Sequence, residues 1–461
     1  MLDTSLTETS APMSAAVRPE NVHRTLGRHL LTDGFPFPLD LERSRGSWLV
    51  DASSGESYLD MYTFFASSPL GLNPPEIVED ADFMAQLAAV AVNKPANCDM
   101  YTTHLAEFVE TFVRVLGDPD LPHLFFVEGG ALAVENALKC AFDWKSRHNE
   151  ARGRAAGLGT RAMHLTRAFH GRSGYTMSLT NTDPDKTDRF PVFDWPRIDV
   201  PAIRHPLDAR SLADLEQAER RALDQAEAAF RAHPHDIACF IAEPIQGEGG
   251  DNHMRPAFLQ AMQRMCHDHD ALFVLDEVQT GVGVTGSPWA YQQLGLAPDV
   301  VAFSKKAQVG GIMAGRRVDD VPDNVFRVSS RISSTWGGNL VDMVRSRRLL
   351  EVIERDGLIP RAKVLGDRFR TGLEDLARRH PRLVTAARGR GLLCAFDMPT
   401  SEQRDVLLTR LREEERVLML PAGPLGVRVR PSLAVRAEEL DLVLGALDRV
   451  LHLMDREEAA A

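Results

Sequence analysis

Lysine is scarce in this chain: of 53 basic residues only Lys94, Lys139, Lys145, Lys186, Lys305, Lys306 and Lys363 are lysines, and the other 46 are arginines. Cysteine is scarce too. Cys98, Cys140, Cys239, Cys266 and Cys394 are odd in number and include no CxxC pair, which excludes a disulfide framework or a zinc ribbon and points to a reducing, cytoplasmic setting. No apolar run approaches the roughly eighteen residues that cross a bilayer, so no membrane partner is expected. Positive charge is in deficit, 53 basic against 65 acidic residues, which argues against a nucleic-acid partner because phosphate neutralisation needs a basic surface. The first twenty residues lack the apolar stretch of a signal peptide and are read as a mobile arm. No fixed-period repeat or low-complexity tract occurs.

What is present is ordinary globular material, 461 residues with 44% hydrophobic and 26% charged, enough for a large domain with a smaller one attached. Short runs rich in Val, Ile and Phe predict strands at 123–127, 163–169, 237–243, 271–278 and 299–305, alternating with helix patterns at 131–148, 211–232 and 256–270. That alternation is the signature of α/β architecture, a mainly parallel sheet with helices on both faces. Beyond about 340 the register changes: helices at 338–355, 360–379, 401–415 and 436–454 frame strands near 389–398 and 416–420, a smaller C-terminal α+β domain. The expected division is an arm at 1–20, a segment at 21–90 packing with the small domain, a large domain at 91–340 and a small one at 341–461.

In open α/β sheets ligands bind beyond the carboxyl ends of the strands, so the residues just after each run are the ones to inspect. The first run enters Glu128-Gly129-Gly130-Ala131 and then a helix, exposing backbone N–H groups to an anion. The fourth ends in Asp276-Glu277-Val278-Gln279, placing at Asp276 a carboxylate that needs a partner once buried. The fifth ends at Lys305-Lys306, where an amine is kept in a chain that otherwise prefers arginine. An anion pocket, a carboxylate for a protonated ring nitrogen and a lysine able to form a Schiff base are together what pyridoxal 5'-phosphate requires. Two competing motifs fail on spacing. Gly281-Val282-Gly283-Val284-Thr285-Gly286 satisfies GxGxxG, but Pro288 and Gly295 deny it a long helix and Asp299 begins its strand rather than ending it, against a dinucleotide site. His267 and His269 lie two apart on a predicted helix, where side chains diverge, so no metal is expected.

The stretches DEVQTGVGVTG, PDVVAFSKK and STWGGN resemble the class III, or omega-amino-acid, branch of fold-type I pyridoxal-phosphate aminotransferases. FFVEGGALAVENALKCAFDWKSRHN, FHGRSGYTMSLTNT and IAEPIQGEGGD resemble the members that act on the terminal amine of L-lysine. The resemblance implies that Lys305, six residues after Asp299, carries the Schiff base and that Asp276 pairs with the ring nitrogen. It further implies Gln279 near the ring hydroxyl, Phe169 and Val278 on the two ring faces, and backbone amides of Gly130 and Ala131 on the phosphate. Thr335 matches a residue that reaches the phosphate of a neighbouring subunit, implying a homodimer with shared active sites. Arg172 is matched to the α-carboxylate of lysine and the far carboxylate of 2-oxoglutarate, Arg428 to the α-carboxylate of glutamate, and Glu248 to the carboxylate that masks Arg428. The implied reaction is an aminotransferase step from L-lysine to 2-oxoglutarate. Ornithine, 4-aminobutyrate or diaminobutyrate are the alternative donors, and a non-catalytic cofactor-binding regulator is the alternative from another class. Two departures stand out: Leu132 replaces a common Glu, and Gly130-Ala131 replace the usual hydroxyl residues. Asn93, Lys94 and Asn97 receive no role.

Overall fold

The computed structural model describes residues 17–460, so most of the expected arm, residues 1–16, lies outside the described residues. Pro19–Asn21 and Val22–Leu26 already form short helical turns. The central sheet has seven strands in the spatial order His123–Val127, Gly310–Ala314, Val300–Phe303, Leu272–Asp276, Ile237–Ala242, Arg161–Leu165 and Arg197–Ile198. All neighbours run parallel except Gly310–Ala314, which is antiparallel to both strands beside it.

The near-continuous apolar runs follow from burial on both faces. Val274, Val300 and Ala302 face the helix Gly130–Ala151 through Ala133, Ala137, Leu138 and Trp144. The alternate residues Phe273, Leu275, Val301 and Phe303 join the opposite layer with Phe112 and Phe258, as a two-residue side-chain period requires. Phe273 is completely buried, and truncating such a ring to alanine costs about 3–5 kcal/mol.

Several boundaries differ from the sequence expectation. The strand expected at 163–169 is Arg161–Leu165, and Phe169 lies in the loop beyond it, where Arg167 takes a left-handed φ of 60°. The run at 271–278 stops at Asp276, and the one at 299–305 stops at Phe303. The single strand near 389–398 is a hairpin, Thr385–Arg390 and Leu393–Asp397, turning at Gly391 with φ 56°. The segment near 416–420 divides: Val417–Leu418 completes the N-terminal sheet of Leu39–Arg45, Trp48–Asp51 and Ser57–Asp60, while Leu420–Ala422 joins the C-terminal sheet. Gly310–Ala314 and Gly426–Val429 carry no expectation at all. The helix Leu340–Arg355 is anchored to the large sheet's end of the molecule: Ser346 Oγ donates to the Ala307 carbonyl at 2.8 Å, and Arg347 ion-pairs with Glu107.

Candidate active site

The parallel register sets Asp276 beside Ala302, three residues before Lys305, so the two strand ends deliver a carboxylate and an amine to one place. Both line a cavity of about 320 Å³. Its wall at the sheet's other side is the start of the helix Gly130–Ala151. Helices beginning at Ala81, Thr103, Ala209, Leu340 and Ser401 are capped by the side chains of Asp80, Thr102, Asp208, Asn339 and Thr400. The helix at the cavity starts from Gly129, at φ 93°, with no side-chain cap. Its first amides are therefore available to an anion. A Cβ on Gly130 would sit 2.8 Å from Val278, so the glycine is what lets the helix start close on the cavity.

Asp276 is buried, and its Oδ1 accepts the Val278 N–H at 2.9 Å while Oδ2 accepts from His170 Nδ1 at 2.7 Å. Burial works against a charged imidazole, yet the Asp276 hydrogen bond and the charges of Asp276 and Glu243 raise the His170 pKa above its ordinary value. Behind them Glu243 accepts the N–H groups of Phe169 and Gly247, at 3.0 and 2.9 Å, and burial lifts its pKa to about 7 against the pull of His170.

Lys305 has a φ of 51°, a left-handed conformation that a lysine adopts only when its surroundings impose it. Desolvation, aided by the charges of Arg428 and Arg430, lowers its amine pKa to about 8, opposed by Asp276 and Glu243. Lys306 points elsewhere: it is buried and donates to the carbonyls of Ala66 and Gln279 at 3.0 and 2.9 Å. Phe169, Val278 and Gln279 line the same cavity, as do Ala131, Arg172 and Glu248. Arg428 stands at its edge, with Nη2 at 3.0 Å from Glu248 Oε2. Glu248 also receives Lys186 Nζ at 2.8 Å. Burial opposes ionisation of Glu248, but the two cations hold its pKa below the usual carboxylate range.

Thr335 is not brought into the cavity of its own chain. It is exposed beside Trp336, whose ring carries Lys94 Nζ at 3.8 Å from its centroid. Lys94 also pairs with Glu128 at 2.9 Å, and Asn97 Nδ2 donates to the Gly338 carbonyl at 3.0 Å, tying this loop down; Asn93 only caps its own helix through the Ala89 carbonyl. His267 and His269 diverge, to Asp299 and Glu227 respectively. A larger cleft of about 870 Å³ elsewhere is lined by Arg167, Arg204 and Arg221 and contains neither Lys305 nor Asp276, so chemistry rather than volume identifies the site.

The residues fit pyridoxal phosphate on three counts: an uncapped helix start for a phosphate, a buried carboxylate clamped by an imidazole for a pyridinium nitrogen, and an amine with a lowered pKa for an aldehyde. Fold and cavity together define a fold-type I pyridoxal-phosphate-dependent transferase. The class-III aminotransferase family model matches residues 32–451, and the chain belongs to that family. The L-lysine-epsilon aminotransferase of Mycobacterium tuberculosis is 60% identical over 433 residues, 94% of this chain and 96% of that one. Its namesake from Amycolatopsis lactamdurans is 61% identical over 438 residues, 95% and 97% of the two chains. A solved structure of lysine aminotransferase from M. tuberculosis in the internal aldimine form superimposes with a TM-score of 0.93 at 59% identity, covering 95% of this chain and 100% of that chain.

Proposed function

We propose that this protein transfers the terminal amine of L-lysine to 2-oxoglutarate, giving 2-aminoadipate 6-semialdehyde and L-glutamate. The relatives' names support the donor, and one observation supports the use of two unlike substrates in a single cavity: Arg428 is closed by Glu248 at 3.0 Å within reach of the Lys305 wall. Bound pyridoxal phosphate supplies an aldehyde that takes up an amine and a ring that withdraws electrons from the carbon losing its proton.

The chain's own residues do the rest. Lys305 Nζ would hold the aldehyde, and its free amine, with a pKa lowered to about 8, is placed to take up the proton of the substrate's ε-carbon and return it to the cofactor side. Asp276 would pair with the protonated ring nitrogen, and the His170 hydrogen bond at 2.7 Å orients it. The amides of Gly130 and Ala131 hold the phosphate, Phe169 and Val278 flank the ring, and Gln279 lies toward its hydroxyl. Arg172 takes the α-carboxylate of lysine by a two-pronged contact. With lysine bound Glu248 stays on Arg428. With 2-oxoglutarate bound Arg428 takes the α-carboxylate and Arg172 the far one.

Thr335 reaches the phosphate of a second copy in a homodimer. Its exposure next to the exposed ring of Trp336 supports that reading. The five free cysteines, four of them buried, support a cytoplasmic setting; no helix among the described residues is long and apolar enough to cross a membrane. Purified protein given L-lysine and 2-oxoglutarate should yield glutamate and the cyclised semialdehyde by mass spectrometry, faster than with ornithine, 4-aminobutyrate or diaminobutyrate. Preference for ornithine would overturn the donor assignment.

A further inference from the structure

Beyond this reading, and resting on it, we infer that Lys186 is a positioning residue that sets the cost of opening Arg428 to the acceptor's carboxylate. Glu248 is held by two cations at once, one on each oxygen: Arg428 Nη2 on Oε2 at 3.0 Å and Lys186 Nζ on Oε1 at 2.8 Å. The Glu248 main chain is fixed independently, its carbonyl accepting the Gly423 N–H at 3.0 Å, so the side chain alone must move. Lys186 ends the turn Pro184–Lys186, also donates to Thr182 Oγ1 at 3.2 Å, and sits 5.5 Å from the centroid of the Phe169 ring. It is therefore at the cavity mouth and not on the Arg428 strand.

When a substrate carboxylate claims Arg428, Glu248 must leave it. Its side chain is only 29% exposed, and a carboxylate stripped of its one counter-charge there would be left poorly solvated. Lys186, 16% exposed, gives it a second partner already in contact, so the swing exchanges two ion pairs for one instead of one for none. Removing the amine has the same sign by either route: Glu248 grips Arg428 alone, and its displacement strands a charge. Acceptor binding weakens, whereas lysine, which needs Glu248 closed on Arg428, is spared.

The test uses the holoenzyme and glutarate, a five-carbon dicarboxylate with no oxo group to react, titrated by calorimetry, together with donor and acceptor half-reactions followed by stopped flow. Lys186→Met and Lys186→Gln should raise the glutarate Kd about tenfold, the scale of a coupled charge exchange. The concentration giving half-maximal acceptor rate should rise in step with little change in the limiting rate, and Lys186→Arg should restore both. In a Glu248→Gln background the same substitutions should change the glutarate Kd by less than about twofold, because the coupled carboxylate is gone. The inference is overturned if glutarate binding is indifferent to Lys186, if the loss persists undiminished in Glu248→Gln, or if lysine and glutarate suffer equally. Failure of wild-type protein to bind glutarate at all would instead remove the assignment of Arg428, and with it both readings.

Discussion

Arg428 and Arg430 stand two residues apart, and each faces a carboxylate from the segment 248–251, yet the two pairs are built for different ends. Arg430 and Asp251 are sealed, with side-chain exposures of 2% and 0%, and Arg430 also donates to the carbonyls of Cys394 and Val429 at 3.2 and 3.0 Å and to Gln279 Oε1. Arg428 has the Glu248 pair, the Phe65 ring at 5.6 Å from its Cζ, and a partner whose side chain reaches water and is shared with Lys186. The same ion pair is a strut when every proton is committed and a gate when its carboxylate has somewhere else to go.

Breaking the strut should have the largest effect. Asp251→Ala leaves a buried guanidinium unpaired and should cost about 3–5 kcal/mol in urea unfolding. Next comes Asp276→Ala, which should lower turnover by about a hundredfold or more while changing lysine binding far less, measured as kcat against KM. Removing the gated arginine is milder: Arg428→Met should raise the KM for 2-oxoglutarate by about ten- to a hundredfold with an unchanged unfolding midpoint. Glu248→Gln, whose carboxylate is 29% exposed, should cost clearly less stability than Asp251→Ala in the same urea titration, the contrast with Asp251 being the point.

Glu243 sharpens the comparison from the other side, since among the described residues it has no lysine or arginine partner and keeps a pKa of about 7. The folded chain then retains a proton that the unfolded chain releases above the ordinary value of 4.5, so stability falls as pH rises from about 4.5 to 7. Glu243→Gln should flatten that part of the unfolding profile, and an unchanged slope would assign it to other groups.

Strand ends explain how much of this was legible beforehand. Lys305, Asp276 and Gly130 each follow a short apolar run, so periodicity alone exposes them, and their convergence follows from the parallel register. Glu243 ends the run 237–243 and carries the same mark, but not its partners; His170 and Lys186 carry none, because their partners lie far along the chain: His170 is 106 residues from Asp276, Phe169 is 74 from Glu243, and Lys186 is 62 from Glu248. Phe169 was legible as a residue but not as part of a loop, since the left-handed turn at Arg167 leaves no sequence signal. The strand Gly310–Ala314 was missed for a packing reason. Gly311 is required because a Cβ there would lie 2.5 Å from the Phe125 carbonyl and 2.6 Å from the Phe303 ring, and glycine erases the β-branched signature of a strand.

The most direct measurement is the visible spectrum of the purified protein during sequential addition of its two substrates. A long-wavelength band that disappears on L-lysine alone and returns on 2-oxoglutarate alone is the expected result, and Lys305→Ala should abolish the cycle while Lys306→Arg should not. A protein with no such band after addition of pyridoxal phosphate, or one whose band ignores lysine, would contradict the account at its root.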